Sequence, residues 1–314
     1  MMNRAEMLDA TESIFKKAGF QVSQRCVARP SCFDFATRRE NDLALVKVHC
    51  NIGNVSAKDA SEFKTIAKRF SAAPLFICDK MRIRPLEDDT VYSRYSMYAI
   101  TPKTLEDTVF QKIYPLVEAG PGGYYVRLDG DTIKRKRQKL GLSVGKLAEM
   151  MGISARTLYG YERGTAKASV SAAYKLEWVL GVPLVQPINV FQLPPLGTGF
   201  LATARRLLTK NRFLQTVLRK LAQCNFSVAC TRRAPFDFIA QSPKRQLNII
   251  GGVPHRGERD IDQRTEEIVS ISKIVNAQPV FVTDDEKVPN SSIVLIRHRD
   301  LVKIEHPEDF IEQL

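Results

Sequence analysis

Apolar residues recur at helical spacing from about Ala5 to Lys17, with Leu8, Ile14 and Phe15 on one side, and Gly19 ends the predicted helix. Phe20 and Val22 begin a strand, and Phe33-Asp34-Phe35 starts a second. Arg38 to Asn41 turns the chain into a third, mostly buried strand from Leu43 to Val48. The helical period returns from Ala57 to Phe70, with Phe63, Ile66, Ala67 and Phe70 facing inward. Pro74 to Cys78 is an unbroken apolar run of the kind found in parallel sheets. A polar loop from Asp79 to Tyr95, a strand from Met97 to Ile100 and a helix from Thr104 to Tyr114 complete the region. Alternating helices and strands predict an α/β domain over residues 1–118.

Ala119 to Gly123, sequence AGPGG, reads by composition as a linker, and Tyr124 to Leu128 as a short strand. From Asp131 to Pro187 four short helical patterns follow with almost no spacer, which predicts a four-helix domain over residues 124–188. Val182 to Gly199 carries Pro183, Pro187, Pro194 and Pro195 and reads as an extended, stiff arm. The remainder, residues 200–314, repeats the beginning. FLQTVLRKLAQCNFSVACTRRAPFDF from Phe213 matches ESIFKKAGFQVSQRCVARPSCFDF in order and apolar pattern. Leu247 to Ile250 answers Leu43 to Val46, and a helix from Glu266 to Val275 answers the one ending at Phe70. Pro279 to Val282 answers Pro74 to Ile77, Asp284 answers Asp79, and Ile293 to Ile296 with Asp300-Leu301 answers Met97 to Ile100 with Thr104-Leu105.

The centre of the chain has the layout of a helix-turn-helix. Ser143 is a good N-cap, and Leu147, Ala148 and Met151 follow at helical spacing. Gly152 ends that helix where positive φ is wanted, Ile153 plugs the turn, and Ser154 caps a second helix, Ala155 to Arg163, stopped by Gly164. Leu158 and Tyr161 face inward, while Arg156, Thr157 and Tyr159 face outward. LSVGKLAEMMGISARTLYGYERG resembles the helix-turn-helix of the lambda-repressor, Cro and Xre class, through its LS, LA, G-I-S, T and Y-E-R-G positions. The chain is also similar to a group of archaeal proteins described as transcriptional regulators, which place this module between two larger regions. GGYYV at Gly122 to Val126 and LVQPI at Leu184 to Ile188 match that group's flanks. Val144 stands where many members of the wider class have Gln, so a glutamine phosphate clamp is not carried over.

In such a unit the second helix lies in the DNA major groove and its N-terminal residues reach base edges. Ser154, Arg156, Thr157 and Tyr159 are therefore the expected base-reading residues, Arg156 foremost because a guanidinium bonds guanine bidentately. Ser143 and Lys146 at the start of the first motif helix, Thr165 and Lys167 after the second, and Lys134 and Arg137 in the preceding basic run are the expected phosphate contacts. Glu162 and Arg163 fit pairing or capping roles. One such motif covers few base pairs, which predicts a homodimer on double-stranded DNA, with the flanking domains as the dimerisation surfaces.

Charge sharpens this picture. The net charge is +13, and residues 131–190 hold ten Lys/Arg against four Asp/Glu, a density that suits a polyanion. No apolar run approaches the ~20 residues that cross a bilayer, and the acidic residues of the first helix argue against a signal peptide, so a cytoplasmic location is expected. The six cysteines include no CxxC, and with four histidines no metal or other cofactor is implied.

The FD-bearing strand, turn and Lys-ending strand of the first repeat, with the FD-bearing strand that the second repeat shares, resemble the restriction-endonuclease-like fold, whose D…[DE]xK motif holds Mg²⁺. Asp34 and Lys47 fit the outer positions, but Leu45 stands at the second acid; Asp237 is present in the later copy, with Ile249 and Gly251 at the other two. Gly251-Gly252 reads as a bulge. The expectation is thus a non-enzymatic DNA-binding regulator. The alternatives are a metal-dependent nuclease or nucleic-acid processing protein targeted by the helix-turn-helix, and a protein-binding, antitoxin-like adaptor. An effector, unidentified by any motif, would act at the loop Asp79 to Ser96 or at the arm Pro183 to Gly199.

Overall fold

The computed structural model describes residues 3–192, 211–242, 247–255, 257–258, 260–283, 292–297 and 299–300. Pro194, Pro195, Asp284 and Leu301 lie outside the described residues. The described residues gather into two compact units. One holds residues 4–48, 54–76 and those from 191 onward, and the other holds residues 49–53 and 77–190.

The chain enters the first unit with α1 (Arg4–Lys17), which buries Met7, Leu8, Thr11 and Phe15. β1 (Gln21–Val22), β2 (Phe35–Arg39) and β3 (Asp42–Val48) form an antiparallel meander. The turn between β2 and β3 needs only Glu40 and Asn41, with Glu40 at φ 53°. α2 (Ala57–Phe70) is capped by Ser56, whose hydroxyl accepts the Asp59 N–H, and its inner face is Ala60, Phe63, Ile66, Ala67 and Phe70. β4 (Ala73–Ile77), buried throughout, adds to β3.

The second unit contains more strand than the sequence pattern predicts. β5 (Lys80–Met81), β6 (Arg84–Pro85) and β7 (Thr90–Arg94) occupy the segment read as a polar loop. β7 was hidden because its Thr-Val-Tyr start is short and its Ser93-Arg94 end polar, so its pairing decides its state. β8 (Met97–Ile100) pairs with it, and Thr101 caps α3 (Pro102–Gln111) with Pro102 in the first turn. The expected linker is a β-hairpin instead. β9 (Val117–Gly120) pairs with β10 (Gly123–Leu128) across Pro121-Gly122, and Gly122 has φ 86°. Pro followed by a positive-φ Gly is the chemistry of a tight turn, which composition alone does not distinguish from a linker.

Four helices follow: α4 (Gly130–Lys139), α5 (Val144–Met151), α6 (Ala155–Glu162) and, after β11 (Ala168–Ser169), α7 (Val170–Leu180). β12 (Val185–Gln186) ends the unit. The sheet runs β8-β7-β9-β10-β11, and β12 also pairs with β10. The helical bundle is therefore hydrogen-bonded into a sheet through β11 and β12.

The chain returns to the first unit with α8 (Arg212–Gln223), β13 (Ser227–Cys230), β14 (Phe238–Gln241), β15 (Asn248–Gly252), α9 (Ile261–Val275), β16 (Gln278–Val282) and β17 (Val294–Ile296). Its sheet runs β13-β14-β15-β16-β17, antiparallel to β15 and parallel beyond. The order helix–strand–strand–strand–helix–strand repeats that of α1 to β4. The two copies also hold each other reciprocally. Glu62 Oε1 on α2 accepts the N–H groups of Arg232 and Arg233, each at 2.6 Å, and Glu267 Oε1 on α9 accepts those of Val27 and Ala28, each at 2.8 Å. Each glutamate closes the corresponding loop of the other copy.

The strand register corrects the alignment of the copies. Phe35 pairs with Val46 and Phe238 with Gly251, so Val46 corresponds to Gly251 and Lys47 to Gly252, one residue later than the apolar pattern suggests. Gly251 and Gly252 lie in ordinary ladder register and form no bulge. Gly251 is glycine because a Cβ there would stand 1.9 Å from the Phe238 ring. Gly251→Ala should therefore destabilise the full chain by about 1–3 kcal/mol through overpacking, read as a lower urea midpoint.

Candidate nucleic-acid interface

The core of the helix-turn-helix is built from Leu147, Ala148 and Met151 of α5, Leu158 and Tyr161 of α6, and Ile133, Ala173, Leu176 and Leu180 of its neighbours. Val126, Leu128 and Ala168 bring β10 and β11 into the same cluster. Every helix start is capped as its residue type dictates: Asp129 accepts the Thr132 N–H, Ser143 that of Lys146, Ser154 that of Thr157 and Ser169 that of Ala172. Gly152 ends α5 at φ 68° and Gly164 follows α6 at φ 64°. Ile153, expected as a buried plug, is half-buried against the core. Gly130 passes so close to α6 that a Cβ would stand 2.3 Å from the Glu162 carbonyl oxygen.

On α6, Arg156 and Tyr159 are exposed and Thr157 is half-buried. Arg156 forms no ion pair or hydrogen bond among the described residues, so its guanidinium is open to a ligand. Tyr159 is positioned by Arg163, which lies 5.4 Å from its ring centre and donates to its hydroxyl at 3.3 Å. Ser154 and Thr157 are partly engaged with each other, their hydroxyl oxygens 2.8 Å apart. Lys134 and Lys146 are exposed, and Lys146 pairs loosely with Glu149 at 3.0 Å. Ser143 and Thr165 are exposed, with Thr165 donating to the Gly160 carbonyl. Lys167 reaches Glu118 at 2.7 Å.

Arg137 stands apart from the other nine. It is 8% exposed, its Nε and Nη2 donate to Glu162 at 2.5 and 3.2 Å, and its Nη1 donates to the Leu142 carbonyl. The guanidinium thus clamps α4 to the end of α6 and is not offered to a phosphate. Burial opposes the charge, but Glu162 outweighs it and holds Arg137 above its ordinary value. The basic run concealed this role, because a buried arginine and a solvated one look alike in sequence. The residue missed altogether is Glu118, a buried carboxylate beside Lys167 and Arg127 whose only sequence signal is an acid inside a short strand.

The two nuclease-like positions show their own chemistry. Asp34 Oδ1 accepts Lys47 at 2.9 Å and Arg4 at 2.6 Å, and Oδ2 accepts the Val48 N–H at 2.7 Å. In the second copy Asp237 Oδ1 meets Arg29 and His255, each at 2.8 Å, while Oδ2 accepts the Val253 N–H and Arg264. In the corrected register the second acid of the motif falls on Leu45 and Ile250, both fully buried. A hard divalent cation wants several free oxygens, and here each lone carboxylate is already occupied by cationic side chains. The donor sets do not fit Mg²⁺. Burial alone would raise Asp237, but the His255 hydrogen bond and the Arg264 and Arg29 charges pull it well below the carboxylate range.

Comparison with known proteins agrees with both architectures. Residues 4–115 match the PD-(D/E)XK superfamily domain and residues 133–186 match a helix-turn-helix. Relatives described as "putative HTH-type transcriptional regulatory protein" align along almost the whole chain. One from Archaeoglobus fulgidus is 30% identical over 99% of this chain and 97% of its own length. One from Pyrococcus horikoshii is 33% identical over 90% and 87%, and one from Methanocella arvoryzae is 30% identical over 100% and 96%. The chain belongs to this family of HTH-type regulatory proteins. No solved structure matches it. No helix among the described residues is long and apolar enough to cross a membrane.

Two outcomes test the family fold as seen here. Glu162→Ala leaves Arg137 buried without its partner and should lower stability by about 3–5 kcal/mol, whereas Arg156→Ala should leave the thermal midpoint unchanged. Asp237 has its folded value depressed, so its contribution is complete above the unfolded value near ~pH 4 and is lost as pH falls through the folded one. Urea midpoints measured on acidification should decline, and Asp237→Asn should make that decline shallower.

Proposed function

We propose that the protein is a sequence-specific DNA-binding transcriptional regulator that binds as a homodimer, with α6 reading the major groove and the nuclease-like repeats acting as non-catalytic support. The observation that carries the reading is the exposed N-terminal face of α6, where Arg156 has no partner among the described residues and Tyr159 is held outward by Arg163. Ser154 and Thr157 share that face, and Lys134, Lys146, Ser143, Thr165 and Lys167 supply phosphate contacts around it. Arg137 has no part in the contact set, because Glu162 and Leu142 occupy it. The occupied carboxylates and the apolar second-acid positions Leu45 and Ile250 support a non-catalytic role for the repeats. Homodimerisation follows from the short site a single helix covers. The mutually engaged loops of the repeats are already used within the chain, so the second copy docks elsewhere.

The deciding experiment is selection of bound sequences from a random DNA pool. An enriched, near-palindromic site is expected, and recovery of no motif would remove the reading. On that site Arg156→Ala should lose about 1–3 kcal/mol of discrimination at one base pair per half-site, seen as relaxed preference in competition binding. Lys134→Ala should weaken all sequences alike and reduce the slope of log K against log salt by about 1 per subunit. A salt-independent association would favour a protein-binding adaptor, and Mg²⁺-dependent cleavage abolished by Asp34→Ala would favour a nuclease.

A further inference from the structure

β5 and β6 form a two-stranded ribbon of their own, and Met81 pairs with Arg84, so the turn of the ribbon is Arg82-Ile83. Two-residue hairpin turns favour Asn and Gly, yet Arg82 holds φ 58° here and a β-branched residue follows it. The conformation is imposed from outside the ribbon. Asn51 Oδ1 accepts the Arg82 N–H at 2.8 Å, and Asn51 Nδ2 donates to the Arg82 carbonyl at 2.9 Å. The backbone of the tip is thereby clamped while its side chains stay outside. Ile83 is 95% exposed, more than any other large apolar side chain among the described residues. Arg82 and Arg84 on either side are exposed and make no side-chain ion pair or hydrogen bond among the described residues. Of the acids that follow, Glu87 accepts the Tyr124 hydroxyl at 2.7 Å and Asp88 that of Thr101, so hydroxyls hold them, not the tip arginines. A strained turn that presents a basic–apolar–basic tip gains no packing from it, the pattern expected where function sets the residues. Met81, at the base of the turn, and Lys167, which follows α6, line the same cleft.

We propose that the Arg82-Ile83-Arg84 tip enters the DNA minor groove beside the stretch that α6 reads, with the arginines along the groove and Ile83 against a base step. The proposal rests on the DNA-binding reading, in which α6 occupies the major groove. The minor groove, about 6 Å wide, excludes a helix but admits a tip two residues across. Its negative potential, strongest where A·T tracts narrow it, attracts guanidinium groups. An apolar side chain such as Ile83 acts there as a wedge that partly unstacks a base step and bends the duplex. Because the ribbon and the exit of α6 open on one cleft, a duplex lying against α6 is within reach of the tip. That shared position favours DNA over an anionic membrane, the other surface that takes a basic and apolar tip. The tip reads A·T-rich flanks outside the base pairs that α6 contacts.

The full chain is titrated with duplexes carrying the selected site between A·T or G·C flanks or, where no site is enriched, a random core between the same flanks. Wild type should prefer the A·T flanks a few-fold, and the minor-groove ligand netropsin should erase that preference. Arg82→Gly and Arg84→Ala should each weaken binding a few-fold, reduce the flank preference and lower the slope of log K against log salt by about 1 per subunit. Arg82→Gly supplies the residue that the turn favours, so its thermal midpoint should not fall, and a purely structural Arg82 would leave DNA binding unchanged. Ile83→Ser should keep the salt slope and reduce bending, read as energy transfer between dyes at the duplex ends. The proposal is overturned if wild type shows no flank preference, or if the three variants bind and bend DNA as wild type does. It is also overturned if Ile83→Ser releases the chain from anionic phospholipid vesicles with DNA binding and bending untouched. An enriched core bound equally by wild type and all three variants would remove the tip alone. A tip-dependent flank preference with no enriched core would remove the regulator reading and leave the tip standing.

Discussion

Strand β10 must satisfy hydrogen-bonding groups on both of its edges, and this requirement organises the unit that carries the helix-turn-helix. β9 takes one edge from Gly123 to Val126, while β11 and β12 divide the other at Tyr125–Val126 and Arg127–Leu128. Because β11 follows α6 and precedes α7, the exit of α6 is pinned to a sheet rather than left to a tether. Val126 and Leu128 then contribute to the same apolar cluster as Leu158 and Leu176. An unpaired buried strand edge would be costly, so the helices and the strands order together.

The same strands place Glu118 and Arg127 beside Lys167, so the ion pair next to α6 arises from β9–β10 pairing. Arg137 and Glu162 make the complementary tie on the other side, between α4 and the end of α6. The exposed face of α6 is thus presented by a frame tied by the Arg137–Glu162 and Lys167–Glu118 pairs. Among the described residues Arg156 has no ion pair, while Arg163 holds Tyr159.

In both nuclease-like copies a buried carboxylate ties a loop to a neighbouring strand. Asp34 and Asp237 each accept the backbone N–H of the equivalent valine, Val48 or Val253, and each neutralises the cations around it. Their role is to fix the loop before β2 and β14 against the following strand. Reciprocal capping by Glu62 and Glu267 makes the two copies mutually dependent, which a single copy of the sequence does not reveal.

Sequence alone determined the features set by local chemistry: the caps at Ser143 and Ser154, the positive-φ glycines at 152 and 164, the inward Leu158 and Tyr161, and the repetition of the FD-bearing segments. These depend on a few neighbouring residues, so the pattern carries them. Tertiary structure decided what depends on partners distant in the chain. Ala119 to Gly123 became a hairpin because Val117 to Gly120 and Gly123 to Val126 pair. Thr90 to Arg94 became a strand because β8 and β9 flank it. Arg137 left the basic run for the interior because Glu162 meets it, and the repeat alignment moved by one residue because ladder register, not apolar similarity, fixes equivalence. A side chain's charge is written in the sequence; whether it faces solvent or a counter-charge is settled only when the elements pack.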